Sequence, residues 1–103
     1  MDKKLIDLMK PSSIIVNTSR GSIINESYLI DTLRNRRISG AALDVFEQEP
    51  IEKDNPLLLM ENVIVTPHSA GNNWDAWSRR AKFGYSNIQN VINGGEPLSL
   101  VHL

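Results

Sequence analysis

Three short apolar runs, rich in β-branched residues and each followed by polar residues, constrain the fold of this chain most. They occupy residues 14–16, 40–46 and 62–66 of the 103-residue sequence. Continuous apolar runs of this length are typical of strands that are buried on both faces of a parallel sheet. Helical segments lie between the runs, and right-handed crossovers then place the strands side by side with helices on the faces. The sequence therefore predicts an α/β fold with a parallel three-stranded sheet.

The segments around the strands have the capping residues and the apolar spacing of helices. Asn25 is a suitable cap for a helix that should end near residues 35–36. Pro56 should open a short helical turn, and Asn73 should cap a long helix that ends at the glycine pair 94–95. One face of the long helix is predicted to be apolar, with Trp74, Trp77, Ala81, Tyr85, Ile88 and Ile92. Three strands with such helices match, in size, one half of a Rossmann-type doubly wound sheet.

The composition restricts the partners that this chain can have. Eleven Lys and Arg against 12 Asp and Glu give a net charge of -1, and the basic residues are scattered, which favours neither nucleic acid nor an anionic membrane. No apolar run approaches the roughly 20 residues that span a bilayer. The absence of cysteine excludes a disulfide scaffold and a thiolate metal site. We therefore predict a cytoplasmic protein without a nucleic-acid, membrane or metal partner, and we expect His102, in a polar tail, to be structural or disordered.

Residues with chemical uses follow each predicted strand. Arg20 follows the first strand, Asp44 and the loop with Glu49 follow the second, and His68 follows the third. The carboxyl ends of parallel strands meet at one edge of a sheet, where ligands bind, so we expect these side chains to converge. Reducing a 2-keto acid needs a guanidinium to hold the carboxylate and an imidazole to give and take a proton. Arg20 and His68 suit these tasks, and Glu49 would favour the imidazolium and orient its ring.

Each of these residues also has a simpler interpretation. Taken singly, Arg20 could form a surface ion pair, His68 could be a loop histidine bonded to the backbone, and Asp44 could cap a turn. Glu49 could be solvated, and Glu47 in the same loop is an alternative acid. The order and the strand-end context of the residues, taken together, favour the chemical interpretation.

Two stretches carry a resemblance to the D-isomer-specific 2-hydroxyacid dehydrogenases, and the match as a whole covers nearly the whole chain. They are MKPSSIIVNTSRGSIINESYLIDTLRNRRISGAALDVFEQEP and NPLLLMENVIVTPHSAG. The resemblance implies that Arg20 binds the substrate carboxylate and keto oxygen, and that Glu49, placed directly before a proline, pairs with His68, which shuttles the proton. It also implies a cofactor site at the nicotinamide end, formed by Thr18, Ser19, Asp44, His68 and Ala70.

The resemblance implies an activity and a domain division as well. The parent enzyme would transfer hydride between NAD, with NADP not excluded, and a small 2-keto or 2-hydroxy acid such as glyoxylate, hydroxypyruvate or a phosphoglycerate-derived acid. Residues 1–72 would be the second half of the dinucleotide-binding domain, and residues 73–103 a long return helix and tail that rejoin a substrate domain. The alternatives are a nucleotide-sensing, corepressor-like binding module and an inactive remnant.

Two departures from the family pattern lead to further expectations. No GxGxxG motif occurs in the sequence, so we expect a fragment that is inactive alone and that associates as a homo-oligomer or with a missing N-terminal half. Family members usually have glycine where Arg36 stands. A left-handed arginine there would cost about 1 kcal/mol unless Asn35 takes the turn instead.

Overall fold

The computed structural model describes residues 1–101, which form two compact units. The first unit is Met1–Ala70, and the second begins at Gly71. His102 lies outside the described residues, and so does the expectation for it.

The first unit contains a parallel three-stranded sheet. Its strands are β1 (Ile14–Asn17), β2 (Gly40–Leu43) and β3 (Val63–Val65), in the order β1-β2-β3. The flanking helices are α1 (Lys3–Asp7) and α2 (Glu26–Arg34), and single 3-10 turns cover Gly21–Ile23 and Pro56–Leu59. This confirms the predicted α/β fold and its parallel sheet. Strand β2 is shorter than predicted, because the chain leaves the sheet after Asp44, whose N–H donates to Asn17 at 2.9 Å, although Val45 and Phe46 remain buried.

One face of the sheet packs against the helices, and the other face is uncovered within this unit. The core is formed by Ile6, Ile15, Ile24, Leu29, Leu33, Ile38, Ala41, Leu43, Phe46 and Leu57. In β1, Ile15 and Asn17 are buried, whereas Ile14 and Val16 are 63% and 67% exposed. The prediction that this strand is buried on both faces is therefore wrong for this unit. Side chains alternate along a strand, and only one side of the sheet has a covering layer here.

The capping residues behave as the sequence predicts. Asn25 accepts a hydrogen bond from the N–H of Tyr28 at 2.9 Å, and it begins α2.

Asn35 ends α2 with a helical φ of -84°, and Arg36 takes the left-handed turn with φ at 52°. The sequence left open which of the two would adopt this conformation; it is the arginine, at a cost of about 1 kcal/mol.

The second unit consists mainly of α3 (Trp74–Ile92). Asn73 caps it through the N–H of Ala76 at 2.8 Å, as predicted, and Gly94 follows its end with φ at 79°. None of its residues is buried, so the predicted apolar face, which includes Trp74 and Ile88, is exposed within the unit. Among the described residues, no helix combines the length and the apolar character needed to cross a membrane.

Candidate active site

The three strand ends of the first unit carry the residues that the sequence singled out. Arg20 lies three residues beyond the end of β1, and Asp44 directly follows β2. Glu49 lies in the loop after Asp44, and His68 follows β3. Thr18 and Ser19 form an exposed turn before Arg20.

Glu49 and His68 form a direct pair. Glu49 Oε2 lies 2.7 Å from His68 Nδ1, and Glu49 Oε1 accepts the N–H of Phe46 at 3.0 Å. The hydrogen bond from His68 is the largest cause that holds the pKa of Glu49 below its ordinary value, and the Phe46 N–H is the next. Burial opposes them, and the charges of His68 and Arg20 lower the pKa further. The carboxylate therefore stays ionised, and it orients the imidazole through Nδ1. Both side chains remain partly exposed, so the pair is accessible from outside the unit.

The other candidate acid of this loop points to a different partner. Glu47 Oε1 accepts the N–H of Glu26 at 3.3 Å, at the start of α2. The N–H of Glu47 in turn donates to Glu26 Oε2 at 2.8 Å. Of the two acids that the sequence left open, the structure brings Glu49 to His68 and engages Glu47 at the helix.

Asp44 fastens the loop that carries His68. The buried carboxylate accepts a hydrogen bond from the hydroxyl of Thr66. It also accepts hydrogen bonds from the N–H groups of Ser69 and Ala70, each at 2.8 Å. The Thr66 hydroxyl is the largest cause of a lowered pKa of Asp44, and burial opposes the effect. The bonds lie on both sides of His68, whose φ of 51° is a left-handed conformation that costs a non-glycine residue about 1–2 kcal/mol. Asp44 thus holds His68 in a backbone conformation that the residue would not favour by itself.

Sequence reasoning assigned Asp44 to the cofactor and did not detect this fastening role. Its partners lie 22 to 26 residues further along the chain, and no local pattern connects them. The N–H of Ala70, which the sequence also assigned to the cofactor site, donates to Asp44 in this structure.

The turn that carries Arg20 is organised by two residues that the sequence analysis did not single out. Asn17 is 3% exposed, donates through Nδ2 to the carbonyl of Arg20 at 2.9 Å, and accepts the N–H of Ser19 at 3.1 Å. Gly21 packs directly on the next segment, because a Cβ at this position would lie 1.9 Å from the carbonyl carbon of Phe46. The only sequence signal for this close approach was the glycine that follows Arg20. The guanidinium of Arg20 is exposed, and it donates to the carbonyl of Ser19 at 2.7 Å.

An open cavity of about 510 Å³ lies beside the Glu49–His68 pair. Its walls are mainly apolar and include Phe46, Pro50, Ile51, Val65 and Pro67. Within residues 1–101, no three His, Asp or Glu side chains come together in a way that could hold a metal ion.

Comparisons with known proteins agree with this architecture. Residues 1–70 match the family model described as "D-isomer specific 2-hydroxyacid dehydrogenase, NAD binding domain". A glyoxylate reductase of Korarchaeum cryptofilum is 44% identical over 91% of this chain, and a D-3-phosphoglycerate dehydrogenase of Methanocaldococcus jannaschii is 44% identical over 98% of it. A D-isomer specific 2-hydroxyacid dehydrogenase of Xanthobacter autotrophicus, solved with NADPH and MES, has a TM-score of 0.84 and 33% identity over 96% of this chain.

The family model covers most of the chain, so the chain belongs to the D-isomer specific 2-hydroxyacid dehydrogenase family. It spans 28% of the glyoxylate reductase, 19% of the phosphoglycerate dehydrogenase and 40% of the Xanthobacter enzyme.

Proposed function

We propose that this chain supplies the acid–base and carboxylate-binding part of an enzyme that transfers hydride between NAD(P)H and a small 2-keto or 2-hydroxy acid. The observation that carries the proposal is the pair formed by Glu49 Oε2 and His68 Nδ1, 2.7 Å apart at the carboxyl edge of the sheet. A carboxylate on one ring nitrogen favours the imidazolium and orients it, which is how an imidazole is prepared for general acid–base catalysis.

The roles of the two ring nitrogens of His68 follow from this pair. Because Nδ1 faces Glu49, Nε2 is the nitrogen that exchanges a proton with the substrate oxygen. In the reductive direction, His68 donates this proton to the keto oxygen, and in the oxidative direction it takes the proton from the hydroxyl. Glu49 remains ionised in both directions because its pKa is low.

Arg20 is proposed to bind the substrate carboxylate. A guanidinium presents two parallel N–H groups to a carboxylate, which fixes the orientation of the acid as well as its position. Two observations support this role: Arg20 is exposed at the strand-end edge that also carries Glu49 and His68, and its charge contributes to the low pKa of Glu49.

The strand-end residues fit the nicotinamide end of a dinucleotide. The exposed turn at Thr18 and Ser19 offers main-chain polar groups, and Asp44 is an ionised acceptor, although three hydrogen bonds from the segment after β3 already engage it. When bound, the cofactor supplies the hydride. The pyrophosphate would be held by a glycine loop in a longer polypeptide or in a partner chain, because these 103 residues contain no GxGxxG. We propose that residues 73–103 lead back to a substrate domain in the same assembly.

The substrate class is set by what Arg20 and His68 recognise together, namely a carboxylate next to a carbonyl or hydroxyl group. Glyoxylate, hydroxypyruvate and phosphoglycerate-derived acids all have this unit. The names of the two relatives, glyoxylate reductase and D-3-phosphoglycerate dehydrogenase, fall in the same range.

The test compares two neighbouring acids in a polypeptide that joins this sequence to a nucleotide-binding glycine loop. Oxidation of NADH and NADPH is followed with a panel of 2-keto acids, and oxidation of the corresponding hydroxy acids is followed as a function of pH. Glu49→Gln removes the charge beside His68, so in the oxidative direction the acidic limb of the profile should move to lower pH while turnover persists. Glu47→Gln should leave the profile unchanged. A polypeptide that reduces no 2-keto acid, or a Glu49→Gln profile that superimposes on the wild type, would contradict the proposal.

We also propose that the protein acts in the cytoplasm and that β1 pairs with a further strand, either in a longer polypeptide or in a second copy. Strand β1 is an edge strand, and its exposed side chains Ile14 and Val16 are apolar. Native proteins rarely leave such an edge open. Sedimentation of the chain should therefore show a dimer or larger species, and a monomer at high concentration would contradict association between copies.

A further inference from the structure

The loop that carries Glu49 is fastened at both ends by one carboxylate that the acid–base chemistry does not use. Glu26 is the first residue of α2, and its Oε2 accepts the N–H of Glu47 at 2.8 Å. Its Oε1 accepts a hydrogen bond from Nδ2 of Asn55 at 3.0 Å. Residues 47 and 55 bracket the loop, so a single side chain joins its beginning and its end.

Glu26 is itself held in place by the start of the helix. Its N–H, one of the donors that a helix leaves without an internal partner, donates to Glu47 Oε1 at 3.3 Å. Glu26 and Glu47 therefore exchange two hydrogen bonds, in opposite directions. The positive end of the helix dipole favours both carboxylates at this position.

The far end of the loop is anchored in the core. Asn55 Oδ1 accepts the N–H of Leu57 at 3.0 Å, and Leu57 is 1% exposed. Glu26 thus ties the loop to α2 on one side and to a buried segment on the other.

The connection from Glu26 to Glu49 passes through two successive backbone N–H groups. The N–H of Glu47 donates to Glu26, and the N–H of Phe46 donates to Glu49 Oε1 at 3.0 Å. The side chain of Phe46 is 7% exposed, so this stretch of backbone is fixed by packing as well. A shift of residue 47 away from Glu26 would therefore move the donor that orients Glu49 toward His68.

We propose that Glu26 is a positioning residue, which places Glu49 against His68 by holding the backbone of their shared loop. The inference rests on the proposed function, because the placement has a catalytic consequence only if Glu49 acts on His68. Glu26 contacts neither residue directly through any hydrogen bond in the described part of the chain, and its effect passes through the main chain.

Geometry and charge predict opposite results when Glu26 is replaced. Loss of a nearby negative charge makes it easier for Glu49 to ionise, so the pKa of Glu49 would fall. Loss of the clamp weakens the contacts to His68 and the Phe46 N–H, which are the two largest causes of the low pKa of Glu49, so that pKa would rise. The direction of the change therefore separates positioning from a simple charge effect, and a role limited to stability would leave the pKa of folded Glu49 unchanged.

The experiment is an NMR titration of the chain with carboxyl-labelled glutamate, in which Glu49→Gln identifies the Glu49 resonance and circular dichroism confirms that each variant is folded. Glu26→Ala should raise the titration midpoint of Glu49 toward the ordinary glutamate value. Glu26→Gln keeps a carbonyl oxygen for the Glu47 N–H but loses the charge and the acceptor for Asn55, so its midpoint should lie below that of Glu26→Ala. The matched control is Glu52→Ala, since Glu52 is exposed and its carboxylate has no hydrogen bond within residues 1–101. Its midpoint should not exceed the wild-type value.

A Glu49 midpoint in Glu26→Ala at or below the wild-type value would overturn the inference. If Glu26→Ala does not fold, Glu26→Asp should also raise the titration midpoint of Glu49, because it keeps the charge and shortens the side chain by one methylene. Turnover provides a separate arm: in an active polypeptide, Glu26→Ala should lower kcat on the order of 10- to 100-fold. A raised midpoint in a polypeptide without dehydrogenase activity would refute the proposed function and leave the positioning contact intact.

Discussion

Replacing Gly21 with alanine should push apart the two chain segments that bring Arg20 and Glu49 together. A Cβ on Gly21 would lie 1.9 Å from both the carbonyl carbon and the carbonyl oxygen of Phe46, and 2.4 Å from the nitrogen of Glu47. Carbon atoms in van der Waals contact are about 3.5 Å apart, so the two segments must separate by about 1.5 Å. The obstacle is backbone, which cannot rotate away as a flexible side chain could.

This displacement has an energetic and a catalytic cost. Overpacking a tight site costs about 1–3 kcal/mol, and because the clash is with main-chain atoms we expect about 3 kcal/mol, or more than 100-fold in the folding equilibrium. Arg20 directly precedes Gly21, and the N–H of Phe46 orients Glu49. The same movement therefore displaces the guanidinium relative to the Glu49–His68 pair, and a misplacement of about 1 Å can cost on the order of 100-fold in turnover.

Urea denaturation followed by circular dichroism measures the first effect, and steady-state kinetics of the active polypeptide measures the second. Gly84→Ala is the matched control, since a Cβ on Gly84 in α3 would meet no atom within 4 Å in the described chain. Alanine is favoured over glycine in a helix by about 0.5–1 kcal/mol, so this control should be neutral or stabilising. A Gly21→Ala protein with wild-type stability and wild-type turnover would refute the close-approach argument.

Three further substitutions test the strand-end residues separately. His68→Ala should lower kcat by about 100- to 10,000-fold with little change in cofactor affinity, measured by kinetics and by fluorescence titration with NAD(P)H; undiminished turnover would remove His68 from the mechanism. Arg20→Lys should raise KM for the keto acid strongly, because an ammonium lacks the two parallel donors, and near-normal keto acid binding would exclude the proposed contact. Asp44→Asn should be less stable than the wild type at neutral pH, because Ser69 and Ala70 donate to different carboxylate oxygens, and the amide nitrogen that replaces one of them cannot accept a hydrogen bond. The pKa of Asp44 is lowered in the folded state. The contribution of its carboxylate to folding stability is therefore fully present above the ordinary pKa of about 3.8 and is lost as the pH falls below that value. The urea midpoints of the wild type and Asp44→Asn should converge on acidification, and a constant difference would contradict this.

The sequence predicted those parts of the fold that depend on local patterns. Asn25 and Asn73 begin their helices because a side-chain oxygen three residues before a backbone N–H is a local arrangement that the sequence shows directly. The exposure of Ile14 and Val16 could not be predicted in the same way. A continuous apolar run is consistent with burial on both faces, but whether the second face is covered depends on which other segments pack there.

In the candidate site, too, some contacts could be predicted from the sequence and others could not. The pairing of Glu49 with His68 could be anticipated from chemistry, because an imidazole that handles protons is often oriented by a carboxylate. The engagement of Glu47 by Glu26 could not be predicted, because it joins residues 21 positions apart that no motif links. The same is true of Asp44, whose type and strand-end position are compatible with a cofactor contact, a turn cap or a loop anchor.

The segment after β2 contacts the segments that follow β1 and β3 and holds both in place. The backbone at Phe46 packs against Gly21 from the first strand end, and the carboxylate of Asp44 binds the loop of the third. The groups proposed for chemistry, such as His68, are exposed, whereas the polar side chains that shape their loops, Asn17 and Asp44, are 3% and 2% exposed. A buried polar group is costly unless it is hydrogen-bonded, so these two side chains stabilise the fold only when their loops adopt the conformation that satisfies them. The loop conformations that carry Arg20 and His68 are therefore coupled to folding itself, and the exposed side chains can meet a substrate without having to hold the site together.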